Sequence, residues 1–349
     1  MRLAVVGFGL AGQVFHAPYI DAVDGLEVAT IVVRNPERAA LARERFPAAK
    51  VVASVDEAWD ADAVVIGTPN RLHVPLALEA IARGVPVVVD KPFAVTAAEA
   101  QRVVDVSDAA GVPVTVFQNR RWDGDFVTLR QLIEDGTLGD VLRLESRFER
   151  FRPAVLGGWR ELAAEDEGGG QLLDLGAHLV DQARVLFGHP LRVYAEIERR
   201  REGAQVDDDV FVALEHAGGT RSHLWMSAIT AAGGRRFVVN GSAGGFVVDG
   251  LDPQEEQLLG GMRIGSDGFG QSPPGRVVDA HGEREQPLEP GDYRGFYEGV
   301  RDWLAGDAPA PVDPRDSVAG LEILEAARRS AAEGSVVTLE PPNPKEGRS

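Results

Sequence analysis

The first dozen residues constrain this chain more than any other stretch. An apolar run, Leu3–Val6, leads straight into Gly7-Phe8-Gly9-Leu10-Ala11-Gly12, and a helical pattern opens behind it. A strand, a glycine turn and a helix in that order cradle the pyrophosphate of a dinucleotide. Gly7 permits the tight turn, Gly9 lets the backbone approach the phosphates, and Gly12 lets the helix pack on the strand. The free N–H groups at the helix start and the positive end of its dipole then face the anion. A G-x-G-x-x-G alone is a weak signal, since a glycine-rich turn can simply close a strand. Here the flanks on both sides are those that a dinucleotide site requires.

Composition bounds the rest. At 349 residues the chain exceeds a typical single core and reads as two domains. A net charge of −18 argues against nucleic acid and anionic membrane as partners, because a phosphate backbone needs a basic face. The chain has no cysteine, which removes disulfides, thiolate catalysis and thiolate metal sites together and suits a reducing cytoplasm. No segment approaches the roughly 18–20 apolar residues of a spanning helix. The start of the chain reads as a strand, not a signal peptide, because glycines interrupt its apolar run.

Up to about residue 117, strand and helix patterns alternate. Leu3–Val6, Val28–Val33, Ala63–Ile66, Val85–Val89 and Val114–Phe117 are valine-rich and short, as buried parallel strands are. Gly12–Val23, Pro36–Phe46, Val74–Arg83 and Thr96–Ala110 read as the intervening helices. Repeated β-α units imply right-handed crossovers and a doubly wound, Rossmann parallel sheet over residues 1–118. Beyond it, helix candidates at Asp123–Glu134 and Gly170–Phe187 surround a strand near Val141–Phe151. Alternating segments follow at Leu191–Arg199, Asp209–His216, Thr220–Ser227, Arg236–Asn240 and Gly245–Val248. These predict an α+β domain over 119–340, with a large open, mostly antiparallel sheet flanked by helices. Gly250–Gly291 reads as a long loop, Tyr293–Leu304 and Pro314–Glu333 as closing helices, and 341–349 as a flexible tail. A sheet with one wet face favours self-association, here as a homodimer or homotetramer.

Two further constellations could carry chemistry. Val87-Val88-Val89-Asp90-Lys91-Pro92 places a charged pair and a proline at the carboxyl end of a buried strand, the edge where open α/β sheets bind ligands. A lysine there can act as a point charge on a substrate oxygen, or it can merely cap the strand in solvent. The Lys91–Pro92 bond is a candidate cis peptide. In the second constellation, Asp174 and His178 stand four apart and share one face of the predicted helix. A carboxylate so placed can orient an imidazole whose other nitrogen exchanges protons. A solvated surface pair is the plainer alternative, but Leu172, Leu175 and Leu179 flank these residues, so part of the helix is buried. His16 and His73 fall in segments near the nucleotide, and the remaining histidines show no metal-ligand spacing. Gln118-Asn119-Arg120-Arg121-Trp122 follows a sheet strand, either as polar substrate contacts or as a polar hinge.

Together these segments resemble the glucose–fructose oxidoreductase / inositol dehydrogenase / MocA family over nearly the whole chain. The resemblance rests on GFGLAG at Gly7–Gly12, Thr68-Pro69-Asn70 with His73, Asp90-Lys91-Pro92, and Asp174 with His178. Phe15-His16-Ala17-Pro18, Asn119-Arg120-Arg121-Trp122-Asp123 and Gly250–Glu256 look most like its NADP-dependent scyllo-inositol dehydrogenase branch. The resemblance implies that Lys91 polarises the substrate oxygen, that His178 is the acid/base, and that Asp174 orients substrate or histidine. It implies cofactor contacts from Gly7, Phe8, Gly9, Leu10, Ala11, Gly12, Thr68, Pro69, Asn70, His73, Asp90 and Lys91. Asn119, Arg121, Asp174 and His178, with Lys91, would line a small polyol or sugar substrate. One departure is visible: many members carry Glu where this chain has Asp90.

The second strand carries its own argument about the cofactor. It ends Ile31-Val32-Val33-Arg34-Asn35, without the acidic residue that binds the ribose hydroxyls of NAD(H). Arg34 can instead pair with a 2′-phosphate, so NADP(H) is expected in preference to NAD(H). The leading function is a reversible NADP-linked dehydrogenase acting on a ring CH–OH. Two alternatives stand beside it: a glycosidase of the same fold that retains NAD, and a non-catalytic sugar- or nucleotide-sensing regulator.

Overall fold

The computed structural model describes residues 1–155, 157, 159–162, 164 and 167–340; the tail expected over 341–349 lies outside the described residues. The chain divides into two compact units. One comprises Met1–Gly124, Asp252–Gln271 and Pro290–Val318, the other Asp125–Leu251, Ser272–Glu289 and the residues from Ala319 on. Both are therefore discontinuous, whereas the expected division made a single cut after residue 118.

The elements run in order along the chain. β1 (Arg2–Val6) is followed by a turn of π-helix over Ala11–His16 and then by α1 (Ala17–Asp21). Next come β2 (Glu27–Val32), α2 (Pro36–Arg45), β3 (Lys50–Val52), β4 (Ala63–Ile66), α3 (His73–Ala82), β5 (Val87–Asp90), α4 (Ala97–Ala110) and β6 (Val114–Phe117). α5 (Gly124–Glu134), β7 (Val141–Glu149), α6 (Trp159–Leu162), α7 (Gln171–Asp174) and α8 (Gly176–Phe187) follow. The remainder is β8 (Pro190–Glu198), β9 (Asp209–His216), β10 (Arg221–Ser227), β11 (Phe237–Gly241), β12 (Gly244–Val248), α9 (Gln254–Leu259), β13 (Gly275–Asp279), β14 (Gly282–Gln286), α10 (Arg294–Ala305), α11 (Pro314–Glu333) and β15 (Val337–Thr338).

The first unit holds a six-stranded parallel sheet in the order β3-β2-β1-β4-β5-β6. Its order reverses between β1 and β4, the switch point at which such sheets bind ligands. β4, β5 and β6 are buried at every position, which explains their unbroken apolar sequences. Edge strand β3 escaped the sequence reading because only Val51 and Val52 mark it. α2 begins where the Asn35 side chain accepts from the Arg38 amide, and Thr96 caps α4 in the same way. The return segments complete this core: Tyr293, Phe296, Tyr297 and Val300 of α10 and its entry are buried with Phe117, Tyr19 and Ile20.

The second unit holds a nine-stranded sheet in the order β14-β13-β12-β11-β7-β10-β9-β8-β15. It is mostly antiparallel, as expected, but β7 and β10 run parallel because helices and a hairpin intervene between them in sequence. The long loop expected over Gly250–Gly291 instead contains α9 and the β13–β14 hairpin, whose polar outer strand gave no apolar alternation to read. Along β9, buried and half-buried residues alternate strictly, the mark of one face packed and one wet.

His216, the last residue of β9, is 1 % exposed. Its Nδ1 lies 3.0 Å from the Gly188 carbonyl oxygen and its Nε2 2.9 Å from Ser222 Oγ. Burial, with help from the charge of His189, lowers its pKa from 6.5 to about 4. The unfolded chain therefore binds more protons between those values, so this stability is present above pH 6.5 and is lost as pH falls toward 4. At about 1.4 kcal/mol per unit the effect is on the order of 3 kcal/mol. Thermal unfolding of His216→Gln should fall less steeply between pH 6.5 and 4 than that of the parent. An equally steep fall would assign the acid sensitivity to other groups.

Candidate active site

In the first unit the glycine loop is built by contact. Gly7 sits at φ +102°, and a Cβ there would stand 2.5 Å from the Gly67 carbonyl oxygen. A Cβ on Gly12 would collide with the carbonyl oxygen of Gly7. Neither position admits a side chain, because β4 and the helix start press on the loop from two sides. Gly9 differs: a Cβ there would meet only Arg38 Nη1, at 3.8 Å. The space over Gly9 is thus open and bordered by a guanidinium. Phe8 is buried beneath the loop, while Leu10 is exposed and Ala11 partly so. No side chain caps the helix at Leu10, and the amide of Gln13 reaches back to the Gly9 carbonyl, 2.9 Å. The helix expected over Gly12–Val23 opens as a π-turn, a departure that often accompanies functional sites. This uncapped start beside a bare glycine suits the diphosphate of a dinucleotide.

Arg34 lies just past β2 and is exposed, as is Arg38 in the first turn of α2. Arg38 is a residue that the sequence reading missed. Its signal was the spacing of four from Arg34, which places both ahead of or within the first turn of one helix.

At the carboxyl end of β5 the chain is held from several directions. Lys91 donates its backbone N–H to Asp90 Oδ1 at 2.8 Å, and the Lys91–Pro92 peptide is cis. The Pro92 carbonyl oxygen lies 2.8 Å from His73 Nδ1, and His73 Nε2 lies 2.9 Å from the carbonyl oxygen of Thr68. His73 is fully buried, and burial pushes its pKa below the usual imidazole value against the opposing charge of Asp90. Its ring, expected as a cofactor contact, bridges the loops after β4 and β5. Thr68 and Pro69 are half-buried beside it, and Asn70 is buried at the start of a 3₁₀ turn.

Asp90 is itself 8 % exposed. Burial drives its pKa upward, but His16, His73 and Lys91 outweigh that and hold it below the ordinary carboxylate range. His16 Nε2 is 3.7 Å from Asp90 Oδ1, and His16 Nδ1 is 2.6 Å from the Tyr297 hydroxyl. Burial, then the charge of Asp90, raises the Tyr297 pKa well above its usual value, so that hydroxyl stays protonated. A Tyr297 hydroxyl donating to Nδ1 leaves the Nε2–H of His16 facing the carboxylate. No sequence motif pointed to Tyr297, which arrives from residue 297 through the return segment.

Asn119 and Arg121 occupy a 3₁₀ turn after β6. Asn119 is buried, and Arg121 Nη2 donates to Asp316 Oδ2 at 2.9 Å. The guanidinium expected to meet substrate is thus engaged with the first turn of α11.

In the second unit the helix expected over Gly170–Phe187 is broken. Asp174 ends α7, and the amide of His178 donates to the Leu175 carbonyl at 3.1 Å. Leu175, the one residue between the two helices, keeps right-handed helical angles. Gly176 opens α8 in a tight spot: a Cβ there would lie 3.0 Å from Leu324 Cδ2 and 3.2 Å from Met226 Sδ, so those side chains would have to give way. Buried Asp207 fixes the start of α7, accepting from the Leu172 amide at 2.7 Å. Asp174 is half-buried and His178 buried.

Among the described residues no group of His, Asp and Glu is placed to hold a metal ion, and no helix is long and apolar enough to cross a membrane. A parallel sheet with its switch point beside an uncapped, glycine-lined helix start defines a dinucleotide-binding protein of the Rossmann type. The chain belongs to the GFO/IDH/MocA family of oxidoreductases. Residues 1–118 match its NAD-binding Rossmann domain and residues 126–247 its C-terminal domain. It is 36% identical over 348 residues to the uncharacterized oxidoreductase YdgJ of Escherichia coli, covering 97% of this chain and 99% of that one. It is 32% identical to the scyllo-inositol 2-dehydrogenase (NADP(+)) IolW of Bacillus subtilis, covering 97% and 96%. The crystal structure of an oxidoreductase from Bacillus cereus superimposes with a TM-score of 0.87 at 32% identity, covering 98% of this chain and 99% of that one.

Proposed function

We propose that this oxidoreductase is a reversible NADP-linked dehydrogenase acting on a ring CH–OH of a cyclic polyol or sugar, inositol-like in shape. The observation that carries the reading is the anchoring of Lys91. Its backbone is held by Asp90 on one side and, through Pro92, by His73 on the other, while its side chain is only half-buried. A strand-capping lysine has no need of a fully buried histidine and an ionised buried aspartate beneath it. Pre-organisation of that kind suits an ammonium that meets a reacting oxygen.

The cofactor would be held by Gly7 to Gly12, with Thr68, Pro69 and Asn70 beside it and Asp90 and His73 as supports. When bound, the nicotinamide supplies the hydride acceptor for oxidation and the donor for reduction. Lys91 would donate a hydrogen bond to the substrate oxygen and stabilise negative charge on it. His178 would accept the hydroxyl proton on oxidation and return it on reduction, and Asp174 would orient the substrate hydroxyls. Arg34 and Arg38 support a 2′-phosphate, and the relative IolW carries NADP(+) in its name. Arg34→Asp should weaken NADP(H) by at least about tenfold and NAD(H) far less, since each lost charged contact is worth about 1.5–3 kcal/mol. Equal losses for both cofactors in fluorescence titrations would overturn the preference.

We read the wet sheet face as the self-association surface of a homodimer or homotetramer. Phe211, His223 and Trp225 form a half-exposed aromatic cluster there, with ring centroids 5.0–6.0 Å apart. Screening inositols and aldoses for NADP-linked change in nicotinamide absorbance tests the function. Cleavage of a glycoside with no net absorbance change would overturn it in favour of a glycosidase.

A further inference from the structure

The second unit buries an arginine that ties α5, β7 and β11 to the helix carrying His178. Arg236, one residue ahead of β11, is 2 % exposed. Its guanidinium stacks against Phe148 and Phe237, with Cζ 4.4 and 3.8 Å from the ring centroids. Nη1 donates to Ser146 Oγ, Nη2 donates to Gln182 Oε1 at 2.8 Å, and Nε lies 3.3 Å from Asp125 Oδ2. A buried guanidinium persists only where a counter-charge and acceptors surround it, and this one has both.

The placement of those partners is what matters. Gln182 stands four residues after His178 in α8, one turn along the same face. Phe148, with the guanidinium on its ring, also meets the His178 ring edge-on, centroids 6.3 Å apart. One cation thus reaches the histidine by two routes, through its helix and through the ring beside it. Apart from Asp181, the other buried residues of α8 are apolar or glycine, Leu179, Val180 and Ala183 among them. Apolar contacts of that kind are non-directional and tolerate small rotations of a helix, whereas a hydrogen bond from a fixed guanidinium fork does not.

We propose that Arg236 is a positioning residue: through Gln182 and Phe148 it sets the rotation of α8 and the ring plane of His178. The proposal rests on the reading of His178 as the acid/base.

The test uses the full chain and two conservative variants, Arg236→Lys and Gln182→Met, the second keeping side-chain length while losing the acceptor. Proton–nitrogen NMR of the histidine side chains, with the His178 signals assigned by their loss in His178→Gln, needs no substrate. The His178 signals should shift or broaden in both variants while those of His16 and His73 stay in place. With scyllo-inositol and NADP+ as the probe pair, kcat should fall about 10–100-fold in each variant with KM within about threefold, the pattern of an interaction felt only at the transition state. In a His178→Ala background the same substitutions should add nothing further, because their effect passes through the missing ring. Unmoved His178 signals, or losses that add in the double variants, overturn the proposal. Full activity of His178→Ala by itself would remove the underlying reading of His178, whatever the spectra of the Arg236 and Gln182 variants show.

Discussion

Replacing His178 with alanine is expected to lower turnover by roughly 10²–10⁴-fold while NADPH binding stays intact, the loss associated with removed general acid–base help. The separation of the two effects follows from where the groups lie. The glycine loop, Arg34 and Arg38 all belong to the first compact unit, and His178 belongs to the second. Truncating a ring in α8 therefore leaves the uncapped helix start and the open space over Gly9 as they were. Imidazole is also the side chain whose ordinary titration range suits proton exchange near neutral pH, so no substitute of similar size restores it. Steady-state rates with a fluorescence titration of NADPH on the same preparation make the check. Near-full activity in His178→Ala would remove the residue from the role.

Lys91→Ala is expected to cost a similar factor, on the order of 10²–10³ in kcat, as the substrate oxygen loses a charged donor where negative charge develops. The substitution is informative because the backbone there has anchors of its own. The Lys91 amide is bound to Asp90 Oδ1, and the Pro92 carbonyl faces His73. With these anchors and with His16 and His73 still facing Asp90, the loop should keep its course with alanine, so the loss reads chiefly the ammonium. Lys91→Arg should recover little, since a planar fork cannot replace a compact point charge in the same space. Unchanged kinetics in Lys91→Ala would leave the lysine as a strand cap.

Much of the scaffold could be read from residue order. Valine runs too short for helices marked five of the six parallel strands, and the glycine spacing marked the loop between the first strand and its helix. Where the reading failed, the cause was physical. β3 and the β13–β14 hairpin are edge elements with few apolar residues, so they leave no periodic trace. The interruption at Leu175 is a single residue, and the close pass of Gly176 against Leu324 and Met226 beside it leaves no mark in the local sequence. Arg121 is engaged by Asp316, almost two hundred residues away in sequence.

By itself the sequence determined the fold of the nucleotide-binding half, the glycine cradle, the absence of an acid after the second strand, and the identity of Lys91, Asp174 and His178 as chemistry-bearing candidates. Those are local properties, set by spacing and residue type within a dozen positions. Tertiary structure alone decided which groups support them: His73 as a strut beneath Lys91, His16 and Tyr297 around Asp90, Asp207 at the start of α7, and Arg236 behind the helix of His178. Each of those contacts joins residues distant in sequence through buried hydrogen bonds or ion contacts. Such pairs have no period along the chain, and only packing brings them within reach.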